Sequence, residues 1–99
     1  LGLRQVAGIV AGKGNALLYL RRSIEALAAY ERAIRLNSQL TIAYNNKGNV
    51  LMDIKRYEEA LAAYEQAFLL DPNDAIVNTN KGNALLCLKQ LNEALWTSA

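Results

Sequence analysis

An all-α fold, built as a stack of antiparallel helix pairs, is predicted by three observations. First, a short signature returns at a fixed interval: Lys13-Gly14-Asn15, Lys47-Gly48-Asn49 and Lys81-Gly82-Asn83 stand 34 residues apart, a period typical of helical-hairpin repeats. Second, longer segments return in the same register. Residues 25–31 and 59–65 both read EALAAYE, Glu93-Ala94-Leu95 opens a third copy, and residues 13–18 and 81–86 both read KGNALL. Third, 53% of the 99 residues are hydrophobic, Ala and Leu are prominent, and there is a single proline. Such side chains lose little freedom in a helix. One helix pair cannot bury its apolar face alone, so successive pairs must stack.

The elements follow in order. Helices are expected over 3–20, 23–37, 41–54, 57–70, 75–88 and 91–98. The first, third and fifth each carry one Lys-Gly-Asn signature. An interior glycine costs a helix roughly 1 kcal/mol against Ala, so Gly14, Gly48 and Gly82 are expected where two backbones approach closely, with Ala26, Ala60 and Ala94 opposite. The second helix holds Glu31 and Arg35 at i,i+4, a surface pair worth tenths of a kcal/mol. In the fourth, Tyr57, Ala60, Leu61, Tyr64, Ala67, Phe68 and Leu70 recur at helical spacing, and Glu58, Glu59, Glu65 and Gln66 face out. Asp71-Pro72-Asn73-Asp74 is a stop and restart, with Pro72 fixing φ and Asp74 placed to cap the next helix.

This pattern resembles the tetratricopeptide repeat family over nearly the whole chain. The family carries an aromatic, Leu-Gly three residues later and a large apolar residue, then a small residue, an aromatic and a proline. The middle copy supplies Tyr44, Lys47-Gly48, Leu51, Ala60, Tyr64 and Pro72. The first supplies Val10, Lys13-Gly14, Leu17, Ala26 and Tyr30, with Ser38 in place of the proline. The third supplies Asn78, Lys81-Gly82, Leu85 and Ala94, and stops near Ser98. Lys replaces the usual Leu before every glycine, and Asn78 is a poor substitute for an aromatic, so the third repeat should pack less well. The resemblance implies one domain, residues 1–99, of repeats at about 7–40, 41–74 and an incomplete 75–99, with 1–6 extending the first helix. It also implies a right-handed solenoid with a concave inner face, and a scaffold that binds an extended protein or peptide segment there.

Asparagines mark that face. Asn15, Asn49 and Asn83 follow the glycines, Asn46 and Asn80 precede them by two, and Asn45 precedes by three. Residues two before and one after a glycine are three apart and share a helix face. The resemblance implies that this face lines the groove. An asparagine amide both donates and accepts, so it can pair with an extended peptide backbone; the alternative is that these amides bond to neighbouring helix backbone or to water. Ile42, Ile76, Met52, Leu18 and Leu86 are candidates for either groove wall or core. Family members that clamp chaperone tails use cations at three places held here by Ala11, Ile76 and Asn80. No such carboxylate ligand is expected.

Other chemistries find little support. The net charge is +2, with acids interspersed among the bases, so no nucleic acid partner is expected. The charge is uneven, +4 over residues 1–40 and −2 over 41–99. Without histidine there is no conventional triad, and Glu58-Glu59 diverge on their helix, so no catalytic residue is expected and the chain is not read as an enzyme. Cys87 is the single cysteine, which leaves no zinc site of the usual type; no metal or cofactor is expected. Gly8-Ile9-Val10-Ala11-Gly12-Lys13-Gly14 fails the phosphate-loop spacing and lacks the following Ser or Thr. No apolar run approaches the ~20 residues of a membrane span, and a cytoplasmic setting is the default expectation. The chain opens with Leu1, as expected of a piece of something longer. Leu95 and Trp96 fall on an uncovered last helix, where they would support head-to-tail self-association; Trp96 folding back on its own repeat is the alternative. A structural, self-associating module is the alternative to a peptide-binding one.

Overall fold

The computed structural model describes residues 2–97, and all its regular elements are helices: α1 (Leu3–Tyr19), α2 (Ser23–Leu36), α3 (Thr41–Asp53), α4 (Tyr57–Leu70) and α5 (Ala75–Thr97). Each helix packs on the next, and α1, α3 and α5 also touch in a row. The result is an elongated stack of 55 × 30 × 18 Å. Its core runs along the helix contacts and is built from small residues around large ones. Ala26, Ala33, Ala60 and Ala67 are fully buried beside Tyr30, Tyr64, Val50 and Leu51.

Within each of the first two repeats the chain reverses through a Schellman turn. At the first, the Arg22 N–H reaches the Leu17 carbonyl and the Arg21 N–H the Leu18 carbonyl, both at 2.9 Å. Arg56 and Lys55 repeat this on Leu51 and Met52. The pivot residues Arg21 and Lys55 sit at φ 60° and 63°, a left-handed conformation that costs a side-chain-bearing residue ~1–2 kcal/mol. Part of the compensation is local: the Arg22 guanidinium forks onto Glu25, and Arg56 onto Glu59. The expected Glu31–Arg35 pair is absent among the described residues; the two ion pairs present lie at these turns instead. Replacing Lys55 by glycine should relieve the strained pivot, offset by the entropy glycine loses on folding, and raise stability by about 0.5–1 kcal/mol. A urea midpoint that rises with an unchanged slope checks this.

Between repeats, the turns are again alike. Asn37 Oδ1 accepts from the Gln39 N–H, and Asp71 Oδ1 from the Asn73 N–H. Asp74 then caps α5 as expected, accepting from the N–H groups of Ile76 (2.9 Å) and Val77 (3.3 Å). Asn78 does better than its size suggests. Tyr44 donates its hydroxyl to the Ser38 carbonyl, and Asn78, 34 residues on, donates its amide to the equivalent Pro72 carbonyl at 3.2 Å.

The end of the chain departs from expectation. Helices over 75–88 and 91–98 were predicted with a turn between; instead α5 runs unbroken through Leu88-Lys89-Gln90-Leu91, while Ser98 and Ala99 lie outside the described residues. The physical reason is a lost balance. Lys89 occupies the strained pivot position, but Gln90 stands where Arg22 and Arg56 fork onto a glutamate, and Ser98 stands where Tyr30 and Tyr64 supply a ring to bury. With nothing to offset the pivot, four good helix formers continue the helix.

Candidate functional site

The asparagines lie on α1, α3 and α5, along the row these helices form. Two pairs bridge successive repeats. The Asn46 amide donates to Asn15 Oδ1 at 3.1 Å, and the Asn80 amide donates to Asn45 Oδ1 at 3.0 Å. Tyrosines grip two of the row from within their own repeat: the Tyr30 hydroxyl also donates to Asn15 Oδ1, and the Tyr64 hydroxyl donates to Asn49 Oδ1 at 2.6 Å. Burial holds both phenols protonated and able to donate. It raises the Tyr30 pKa, and together with the nearby Asp53 carboxylate it pushes Tyr64 up to about 12.

These bonds decide which way each amide faces. With its oxygen turned inward to a tyrosine, Asn15 or Asn49 presents its Nδ2 hydrogens outward. Asn45 likewise keeps Nδ2 unspent, while Asn46 and Asn80 keep Oδ1 unspent. The row therefore offers both donors and acceptors even after its internal bonds are made. Asn83 is exposed on α5.

Four of the nominated residues meet in one cleft. Ile42, Asn45 and Asn46 of α3 and Ile76 of α5 line a hollow of about 400 Å³, closed by Thr41, Asp71 and Asp74. Ile42 and Ile76 are largely exposed there. Met52 is half-buried and packs against the core, as does Leu18; Asn49 and Asn83 lie outside the cleft, as does the exposed Leu86. Asp71 and Asp74 did not emerge from sequence reasoning as wall residues. A larger hollow of about 550 Å³ lies at the α1–α2 turn between Tyr19, Arg21, Ser23 and Asp53, but it contains none of the asparagines.

The glycines divide into two kinds. A methyl on Gly14 would lie 2.8–3.0 Å from the Tyr30 ring, and one on Gly48 would lie 2.4–2.8 Å from the Tyr64 ring. Their close partner is thus a tyrosine ring, not the predicted Ala26 or Ala60. Gly82 has nothing within 4 Å, and the predicted Ala94 lies on the same unbroken helix. Leu95 and Trp96 are exposed at the far end of α5, 63% and 83% respectively. Among the described residues no cluster of His, Cys, Asp or Glu could hold a metal ion, and no helix is long and apolar enough to cross a membrane.

Comparison with known proteins matches this geometry. Tetratricopeptide repeat models match residues 7–40 and 41–74. Among curated proteins none matches. Among solved structures, the second tetratricopeptide domain of Spaghetti (RPAP3), bound to the HSP90 peptide SRMEEVD, is 28% identical; the match covers 94% of this chain and 86% of that one, with a TM-score of 0.85. The Arabidopsis OM64 domain is 24% identical over 94% and 77%, also with a TM-score of 0.85. The TPR2B domain of yeast Sti1, in complex with an Hsp70 peptide, is 24% identical over 92% and 73%, with a TM-score of 0.81. The all-α stack, the 34-residue rhythm and these likenesses agree: the chain belongs to the tetratricopeptide repeat family.

Proposed function

We propose that this chain is a non-catalytic interaction scaffold that binds an extended protein segment along the row of α1, α3 and α5. The observation that supports this most is the set of unspent amide groups beside the cleft at Ile42 and Ile76. Asn46 and Asn80 offer acceptors and Asn45 a donor, matching the alternating N–H and C=O groups of an extended backbone. The flanking isoleucines supply apolar contact, and their exposure leaves that area available to a guest.

The charge of the cleft argues for a partner class. The Spaghetti neighbour binds a peptide whose last residues are acidic. In this chain Asp71 and Asp74 stand at the cleft wall, and Ala11, Ile76 and Asn80 occupy the places where a carboxylate clamp needs cations. An acidic chain terminus would meet like charge without a counterion. The segment bound is therefore internal or neutral to basic in character.

Asn46→Ala and Asn80→Ala should each weaken binding of peptides selected from a random library by about 5–10-fold, the loss of about one hydrogen bond. An acidic peptide ending in EEVD should show no saturable binding. Fluorescence anisotropy measures both. Unchanged affinity in both asparagine variants, with folding intact, removes the reading. A second reading, self-association through the end of α5, is favoured by the exposure of Trp96; sedimentation at rising concentration distinguishes it.

A further inference from the structure

The cleft between α3 and α5 carries a charge that the repeat itself does not require. Both of its sides are in place, since every wall residue lies between Thr41 and Ile76. Ile42 and Ile76 give it exposed apolar surface. Asp71 and Asp74 give it two carboxylates, and no cation stands on the wall. One repeat earlier, between α1 and α3, the places of Ile42, Asp71 and Asp74 are held by Gly8, Asn37 and Leu40. The acidic, apolar wall is therefore peculiar to this junction and is not part of the repeated framework.

Neither carboxylate is used up by the fold. Asp71 Oδ1 accepts from the Asn73 N–H, but Asn37 makes the same turn bond with a neutral amide, so the charge at 71 has no local task. Asp74 caps α5 through Oδ1 alone. Neither aspartate enters an ion pair among the described residues, and the turn and cap bonds leave each Oδ2 unspent. Residues 41–99, which hold the cleft, carry a net −2, so the wider field has the same sign and favours approach of a cation.

Apolar surface beside two uncompensated carboxylates complements one kind of side chain, a methylene stem with a cation at its end. We infer that the cleft reads a single lysine or arginine of the bound segment. Its stem lies on Ile42 and Ile76, its charged head meets the Oδ2 atoms of Asp71 and Asp74, and the amides of Asn45 and Asn46 hold the backbone beside it. The inference rests on the reading of this row as the place of an extended segment, and adds what fixes that segment's register. Because the preceding junction lacks the acids, the basic residue has one place to sit.

The probes are end-capped peptides selected from a random library on the whole chain, and they should share a lysine or arginine. In one of them, norleucine at that position keeps the stem, drops the charge and should weaken binding about fivefold. Asp71→Asn/Asp74→Asn in the protein should weaken the basic peptide by a similar factor and leave the norleucine peptide unchanged, so that the two losses do not add. That variant should keep its helical circular dichroism, because Asn37 already fills the place of Asp71 and asparagine caps a helix as well as aspartate. Asp71→Asn alone, the gentler change, should weaken the basic peptide about twofold. Selected peptides with no shared basic residue overturn the inference. So does a basic peptide bound equally by wild type and both aspartate variants, or a norleucine peptide weakened as much as the basic one. In those cases an Asn46→Ala loss would still leave the groove reading standing, whereas selection of no peptide at all overturns both.

Discussion

Tyr64→Ala is expected to remove most of the folding stability of the chain. Tyr64 is 2% exposed and among the largest buried side chains. Its ring lies on Gly48 and its hydroxyl bonds Asn49 at 2.6 Å, so it joins α4 to α3 by packing and by polar contact together. Truncating a buried aromatic costs about 3–5 kcal/mol. A domain of this length has of order 5–15 kcal/mol to lose, and a short stack belongs low in that range. Position adds to the effect. In a stack each hairpin contacts only its neighbours, so a defect in the central one weakens the interfaces on both sides. Tyr30→Ala, in the terminal hairpin, should therefore cost less. Tyr64→Phe, which keeps the ring, should cost only about 1 kcal/mol. Helical circular dichroism through a urea titration separates these cases; a Tyr64→Ala midpoint close to that of wild type would show that the ring is not what joins the hairpin.

Much of this architecture was legible because periodicity carries information that single residues do not. The 34-residue interval placed α1 to α4 within a residue of their observed ends, since repeated apolar spacing reports a buried stripe regardless of the exact side chains. Asp74 as a cap was equally legible, because an aspartate after proline at a helix start has few other uses.

What failed to show was whatever depended on a contact between helices. Gly14 and Gly48 were correctly read as sites of close approach and Gly82 was not, and the approaching group was assigned to alanine. The signal for tyrosine was present as a constant interval: Asn15 to Tyr30 and Asn49 to Tyr64 are both 15 residues apart, so one hairpin brings each pair together. The asparagine row shows the same limit. Sequence placed these residues on one side, but only the neighbouring tyrosines and the cross-repeat amides decide which polar atom of each remains outward.

The straight α5 is more instructive. Arg21, Lys55 and Lys89 look interchangeable, yet two adopt left-handed backbone and the third is helical. Local preference cannot separate them, because all three favour helix. The difference resides in Gln90 and Ser98, which remove the ion-pair fork and the ring that offset the turn elsewhere. Those substitutions were visible, but their weight follows only once Arg56–Glu59 and Tyr64 are seen performing those roles.

The same contrast yields the second large effect. Helix propensity alone would have Gly48→Ala and Gly82→Ala each stabilise the chain by about 1 kcal/mol. Packing reverses this at one site and not at the other. At Gly48 the new methyl meets the Tyr64 ring at 2.4 Å, a separation no real contact tolerates. The ring cannot simply withdraw, because buried Ala60 and Ala67 stand on its own helix around it and Asn49 holds its hydroxyl. Over-packing costs typically 1–3 kcal/mol and occasionally more, and here it includes weakening of a buried hydrogen bond, so Gly48→Ala should destabilise by about 2 kcal/mol net. Gly14, with contacts of 2.8–3.0 Å in a terminal hairpin, should fall between. At Gly82 no neighbour opposes the methyl, and the propensity gain should appear in full. Three identical substitutions in three copies of one signature should thus give urea midpoints in the order Gly82→Ala, Gly14→Ala, Gly48→Ala from highest to lowest. Equal midpoints would mean that the rings do not rest on these glycines. The spread, of order 3 kcal/mol, then measures the difference between an occupied seat and an open one, since backbone, helix context and chemical change are shared by all three.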